Sequence, residues 1–178
     1  MEQVMEKMME EAKLKAEDNF RRGLNCSECV VRALIDTEGV NLSPEALKYS
    51  SGFGGGVGLY GSMCGALSGA VLAVSSVHGR DHILKDDPKV DRKELLKERV
   101  PELTGEKGLY KIFNNLAAEF KTQHSSDLCR ELTEPFDFGD RERAVLCKGI
   151  IGDAAALAVK WMLTENDGSL AFVKTVKD

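Results

Sequence analysis

The sequence predicts an all-α protein: a compact multi-helix bundle in which a glycine-rich loop precedes a central helix of small residues. Apolar residues recur at three- and four-residue steps in several separate stretches, most clearly at Leu109, Ile112, Phe113, Leu116, Ala117 and Phe120. Sustained period-two alternation is missing, and Ser169 to Val176 is the one segment that approaches it. No self-similarity at solenoid period is present.

The elements follow in chain order. Residues 1–22 read as an amphipathic helix, with Met1, Met5, Met8, Met9, Ala12, Ala16 and Phe20 along one side. That stripe serves either as a packing face or, because thioethers repack easily, as a surface for a partner or a second copy of the chain. Gly23 ends this helix. Asn25, with Glu28 three residues on, is the signature of a capping box for a second helix reaching about Glu38 and stopped by Gly39. Ser43-Pro44-Glu45 starts a short helix to about Ser50, with proline in the first helical position.

Eight of the seventeen glycines fall between Gly52 and Gly69. They divide between the loop Gly52-Phe53-Gly54-Gly55-Gly56-Val57-Gly58 and the start of a Met63 to His78 helix. Gly65, Ala66, Gly69, Ala70 and Ala73 let another backbone approach that helix, which places it at the centre of the fold. Arg80 to Lys107 is the opposite, with sixteen charged residues among twenty-eight. It is expected to be a solvated excursion with one short helix after Asp87-Pro88. After the Leu109 to Phe120 stripe, Ser126 is placed to cap a turn containing Cys129. Asp140 is placed to cap a last long helix carrying Val145, Ile151, Ala155, Ala158 and Met162, ending near Gly168. The expected organisation is the amino-terminal helix 1–22, a cysteine-bearing helical domain 23–168 and a tail 169–178.

A chain of 178 residues, 43% hydrophobic and 30% charged, can bury a core without disulfide staples and is not disordered. Its net charge of −5 gives no electrostatic footprint for nucleic acid. Tyr49 to Gly79 lacks Asp, Glu, Lys and Arg. Its apolar part, Met63 to Val77, is nevertheless too short at roughly 1.5 Å per residue for a bilayer core of about 30 Å. The charged amino terminus is unlike a signal peptide, so a cytoplasmic, membrane-free protein is expected. In that compartment thiols stay reduced, and five cysteines then call for an explanation other than structural disulfides.

Gly56-Val57-Gly58-Leu59-Tyr60-Gly61 matches G-x-G-x-x-G, with Asp81 twenty residues on, but a predicted helix rather than a strand precedes it. Adjacent glycines instead permit either a tight helix crossing or a concave run of N–H groups that can face an anion or cluster sulfurs. Cys26, Cys64 and Cys129 each fall near a predicted helix start, where the partial positive charge favours thiolate. Cys26 and Cys29 form C-x-x-C, a spacing for dithiol chemistry or metal capture. No second C-x-x-C exists, so a zinc ribbon is not supported and further ligands would come singly from distant helices. His78 and His82 are spaced i,i+4 across a predicted helix end, and His124 stands near Cys129; each is read as a surface or helix-end residue before a ligand.

The order Phe20-x-x-Gly23-x-Asn25-Cys26-Ser27-Glu28, Gly52-Phe53-Gly54-Gly55-Gly56-x-Gly58, Cys64-Gly65-Ala66-x-x-Gly69, Cys129-Arg130-Glu131-Leu132 and Cys147 resembles the C-GCAxxG-C-C family of redox-active proteins. The resemblance spans about Phe20 to Ala158. This chain has Cys-Gly-Ala where the family label has Gly-Cys-Ala, and it adds Cys29. The resemblance implies that the family's four shared cysteines are Cys26, Cys64, Cys129 and Cys147. It further implies a redox or iron-sulfur role for them, and the leading expectation is that these four ligate an iron-sulfur cluster approached by Gly54, Gly55, Gly56 and Gly65 and serve a redox partner protein. Two alternatives stand beside it. One is a cluster-free thiol-disulfide protein in which Cys26 attacks and Cys29 or Cys64 resolves. The other is a noncatalytic helical scaffold that forms a homodimer through its amino-terminal helix.

Overall fold

Glycine and alanine, by letting helices cross closely, decide the arrangement of the chain. The computed structural model describes residues 2–80 and 91–174, and these form an all-α bundle without a strand. The helices are α1 (Glu2–Arg21), α2 (Cys26–Ile35), α3 (Ala46–Ser50), α4 (Gly65–His78), α5 (Arg92–Thr104), α6 (Tyr110–His124), α7 (Cys129–Leu132) and α8 (Arg141–Leu163). A 3-10 turn, Ser51–Phe53, and a glycine turn, Gly54–Val57, lie between α3 and α4.

The core sits where α2, α4 and α8 meet. Val30, Val31 and Leu34 of α2, Leu67, Ala70 and Val74 of α4, and Ala154, Ala155 and Ala158 of α8 are fully buried. A methyl carbon added at Gly69 would stand 2.8 Å from Ser27 O, so α4 lies directly against the backbone of α2. Helix α1 is seated on this core through Ala12 and Ala16, with Met8, Met9 and Phe20 half-buried against it. Lys13 pairs with Asp153 of α8 at 2.8 Å. Met8 and Met9 of the stripe thus pack against the core, and Val4 and Leu14 are the large apolar side chains α1 exposes. The α6 stripe buries Ile112, Leu116 and Phe120, while Glu119 accepts hydrogen bonds from Lys160 Nζ at 2.6 Å and Trp161 Nε1 at 3.0 Å on α8.

Several boundaries differ from expectation. Helix α2 ends at Ile35 rather than near Glu38, because the Thr37 hydroxyl bonds Ala33 O at 2.7 Å and closes the last turn. Asp87-Pro88 lies outside the described residues; α5 is thirteen residues long and is capped by Asp91, whose carboxylate accepts from Lys93 N. Asp140 occupies the N-cap position of α8, yet its carboxylate accepts from Asp137 N instead of capping the helix. Helix α8 ends at Leu163, not near Gly168, and Val145 is exposed whereas Ile151, Ala155, Ala158 and Met162 are buried. Ser169 to Lys174 forms no strand. Asn114 of α6 holds it by accepting from Val173 N at 2.7 Å, and the last residues of that segment lie outside the described chain. No described helix is long and apolar enough to cross a membrane.

Candidate functional site

Cys26 is the first residue of α2, and a complete capping box fixes it there. Asn25 Oδ1 accepts from Ser27 N at 3.0 Å and Glu28 N at 3.1 Å, while Glu28 Oε2 accepts from Asn25 N at 3.0 Å. The same two side chains hold the segment that leads into the glycine turn: Asn25 Nδ2 donates to Ser51 O, and Ser51 Oγ donates to Glu28 Oε1. Asn25→Ala is therefore expected to lower stability by about 1–2 kcal/mol and to loosen the glycine turn as well. Urea unfolding together with amide exchange at Gly55 to Gly58 checks both, and unchanged exchange there would refute the link.

From Gly55 to Leu59 five consecutive residues take left-handed conformations, with φ of 64, 68, 65, 60 and 68°. This is a turn of left-handed helix, closed by Gly58 N donating to Gly54 O, Gly61 N to Gly55 O and Ser62 N to Gly56 O. Non-glycine residues pay roughly 1–2 kcal/mol each for this geometry, and Val57 and Leu59 do so with their side chains largely in solvent. Glycine is required at Gly56, where a methyl carbon would stand 2.6 Å from Ser62 O and 2.8 Å from Cys129 Cβ. It is required again at Gly65, where the intruding carbon would meet Phe53 O at 2.7 Å and Cys26 Cβ at 3.1 Å.

The turn delivers the chain into a short two-stranded contact that sets two further cysteines side by side. Met63 bridges Leu128, Cys64 N donates to Asp127 O at 2.8 Å, and Cys129 N donates to Ser62 O at 2.8 Å. Cys64 becomes the N-cap residue of α4 and Cys129 the first residue of α7. Ser126 does not cap α7; its hydroxyl accepts from Leu128 N and donates to Glu131 Oε2, bracing the turn from below. Cys147 comes from the second turn of α8.

The structure brings Cys26, Cys64, Cys129 and Cys147 together around one pocket at the end of the bundle. Ala66, Leu132, Ile150 and Ile151 make most of the remaining wall, and the Thr133 hydroxyl in it is already bonded to Cys129 O. The space enclosed is about 10 Å³, hardly room for one water. All five thiols are free. Among the described residues no three His, Cys, Asp or Glu side chains lie close enough together to hold a metal ion.

Burial dominates the protonation of Cys26, Cys64 and Cys147. It pushes Cys64 up to about 12 and Cys147 up to about 11, with the neighbouring cysteines adding to the rise. Burial also raises Cys26, against the pull of a hydrogen bond from the Gly55 backbone. The helix-start argument anticipates thiolates at Cys26 and Cys64; removal of water from a charged sulfur outweighs the helix field here, so both are held as thiols at neutral pH. Backbone N–H groups still face the sulfurs: that of Gly55 toward Cys26, and those of Ala66 and Leu67 toward Cys64.

Cys29 does not share this pocket. It is fully buried in the core, its Sγ donates to Leu24 O at 3.3 Å, and burial raises it to about 12. The C-x-x-C spacing is real, but one sulfur turns to the pocket and the other into the bundle. The histidines are elsewhere. His78 Nε2 donates to Trp161 O at 2.9 Å, His124 meets the Phe120 ring at a tilt with its Nε2 3.9 Å from Asp153, and His82 lies outside the described residues. The G-x-G-x-x-G run follows a 3-10 turn rather than a strand, which removes the dinucleotide reading; Asp81 lies outside the described residues. Sequence reasoning passed over Arg143, whose charge acts on Cys26 and Cys147; its i,i+4 spacing to Cys147 was the available signal.

No curated protein and no solved structure matches the chain. A family model described as "Putative redox-active protein (C_GCAxxG_C_C)" matches residues 24–161, from the capping box of α2 to the last turns of α8 and so across all four pocket cysteines. By that match the chain belongs to the C_GCAxxG_C_C family of redox-active proteins.

Proposed function

We propose that Cys26, Cys64, Cys129 and Cys147 ligate an iron-sulfur cluster and that the protein carries electrons to or from a redox partner protein. The observation that carries this reading is the convergence of four thiols, from four separate elements, on one apolar pocket. Thiols raised by burial are poor nucleophiles and poor metal ligands until a cation displaces their protons to solvent, and iron bound by these four sulfurs would supply that charge. Among the described residues no three of these side chains stand together as they would around a single ion, and four thiolates are the ligand set that iron-sulfur clusters use.

The pocket is smaller than a cluster, so binding one would require it to open. Cys26 and Cys147 are the two pocket thiols that are not fully buried. When bound, the cluster supplies a site that accepts and releases single electrons. The chain's own contribution is to exclude water and to aim backbone N–H groups at the sulfurs, which raises the potential by favouring the more negative, reduced state. Gly54, Gly56 and Gly65 permit the close approach of backbone that this needs, and Gly55 contributes the donor. Cys29 has no part in the ligand set.

Iron and acid-labile sulfide measured on protein purified without oxygen test the reading. Both are expected in the parent protein, and Cys29→Ala is expected to retain them in full. Absence of both, with two thiols lost and regained on oxidation and reduction, would replace the cluster by a dithiol pair drawn from the same pocket.

A further inference from the structure

A second cavity, of about 570 Å³, lies between α1, α6 and α8 and shares no residue with the cysteine pocket. One face of α1 lines it with Glu6, Met9, Glu10 and Lys13, spaced at helical steps of three and four. Two of its charged pairs are closed. Lys13 Nζ donates to Asp153 Oδ1, and Glu119 accepts on both oxygens, from Lys160 Nζ and Trp161 Nε1. His124, the last residue of α6, is different: its side chain is only 11% exposed, and its buried Nε2 has no hydrogen-bond partner among the described residues. Asp153 Oδ2, the oxygen that Lys13 does not take, stands 3.9 Å from that nitrogen.

This separation is too long for a direct hydrogen bond and short enough for one donor atom to reach both at about 2.9 Å. Burial lowers His124 although Asp153 pulls the other way, so the ring is neutral at neutral pH and can offer Nε2 as an acceptor. Leaving a buried acceptor unpaired costs stability, which a donor supplied by a ligand recovers. The charge of the wall selects the donor. Glu6, Glu10, Glu119 and Asp153 face two ammonium groups, those of Lys13 and Lys160, so the cavity favours a cation over an anion. Glu6 and Glu10 are exposed at the rim, and Met9, Ala156 and Leu157 add apolar surface to the wall. A neutral alcohol or water can satisfy the two acceptors but leaves the surplus negative charge unanswered.

We infer that this cavity binds an aliphatic diamine: one ammonium donates to His124 Nε2 and Asp153 Oδ2, the methylene chain lies on Met9 and Leu157, and the second ammonium meets Glu6 and Glu10. The site is independent of the reading of the cysteines.

Isothermal titration calorimetry of the full-length protein with diaminobutane at low ionic strength tests it, alongside the proton NMR resonances of the His124 ring. Saturable one-to-one binding that moves the His124 resonances is expected, with butanediol giving neither effect. His124→Leu, whose fold is checked by a thermal melt, is expected to weaken binding at least about tenfold, the loss of a hydrogen bond to a charged donor. Replacing the exposed pair, Glu6→Gln with Glu10→Gln, is expected to weaken it roughly two- to fivefold without touching the core. No binding by the parent protein overturns the inference. Binding that leaves the His124 resonances still, or that His124→Leu does not weaken, also overturns it by placing the amine on the acidic surface at large. Equal binding of butanediol would overturn the choice of a cation.

Discussion

Gly56→Ala is expected to destabilise the protein by roughly 2–5 kcal/mol, the sum of left-handed backbone strain and overpacking. The added carbon has nowhere to go. It meets the Ser62 backbone at 2.6 and 2.7 Å and the Cys129 Cβ at 2.8 Å, so relief requires the 61–64 segment to part from 127–130. That segment is what sets Cys64 beside Cys129, and the variant should lose the cysteine site together with stability. Urea unfolding gives the first quantity and iron content the second. Gly58→Ala is a useful contrast, because Gly58 is left-handed too but has nothing within 4 Å of the added carbon. It pays strain alone, and equal losses in the two variants would contradict the packing argument.

Cys64→Ser is expected to abolish iron binding while leaving the fold intact. Cys64 holds the N-cap position of α4, where serine is among the preferred residues, so the substitution does not remove a structural role. Its backbone bonds to Asp127 O and Ser68 N are also untouched. What changes is the sulfur that the N–H groups of Ala66 and Leu67 face. A serine hydroxyl does not lose its proton to solvent in favour of iron as a thiol does. The measurement is iron per protein in an anaerobic preparation, beside a thermal melt. Full iron with an unchanged melting temperature would remove Cys64 from the ligand set.

Much of the architecture was legible because local signals and burial agree. Asn25 and Glu28 announced a capping box and form one; the stripe from Leu109 to Phe120 announced a helix face, and Ile112, Leu116 and Phe120 are its buried members. The small residues of α4 announced a close crossing, and Gly69 makes it against Ser27. The glycine run was visible as permissive backbone but not as a left-handed turn. Nothing in the residue types of Val57 or Leu59 marks them as left-handed, and it is the tertiary bonds of Gly61 and Ser62 that impose it.

At the site, spacing reveals which residues recur and says little about water. Cys26 and Cys64 do sit at helix starts, yet burial reverses the direction in which that placement alone would move them. Cys29 differs from Cys26 by three residues and by almost a full turn of helix, enough to send its sulfur to Leu24 O and the core. Whether two cysteines of a C-x-x-C face one partner depends on what packs on each side of the helix, and that is tertiary information. Asp91 and Thr37 were overlooked for a related reason: many polar residues stand near a helix end, and the backbone selects one.

The visible absorption spectrum of protein purified without oxygen, recorded before and after dithionite, tests the central claim most directly. The account predicts broad absorbance near about 400 nm that bleaches on reduction, as iron-sulfur centres do. A colourless preparation that shows no change with dithionite, after anaerobic incubation with iron and sulfide, would contradict it.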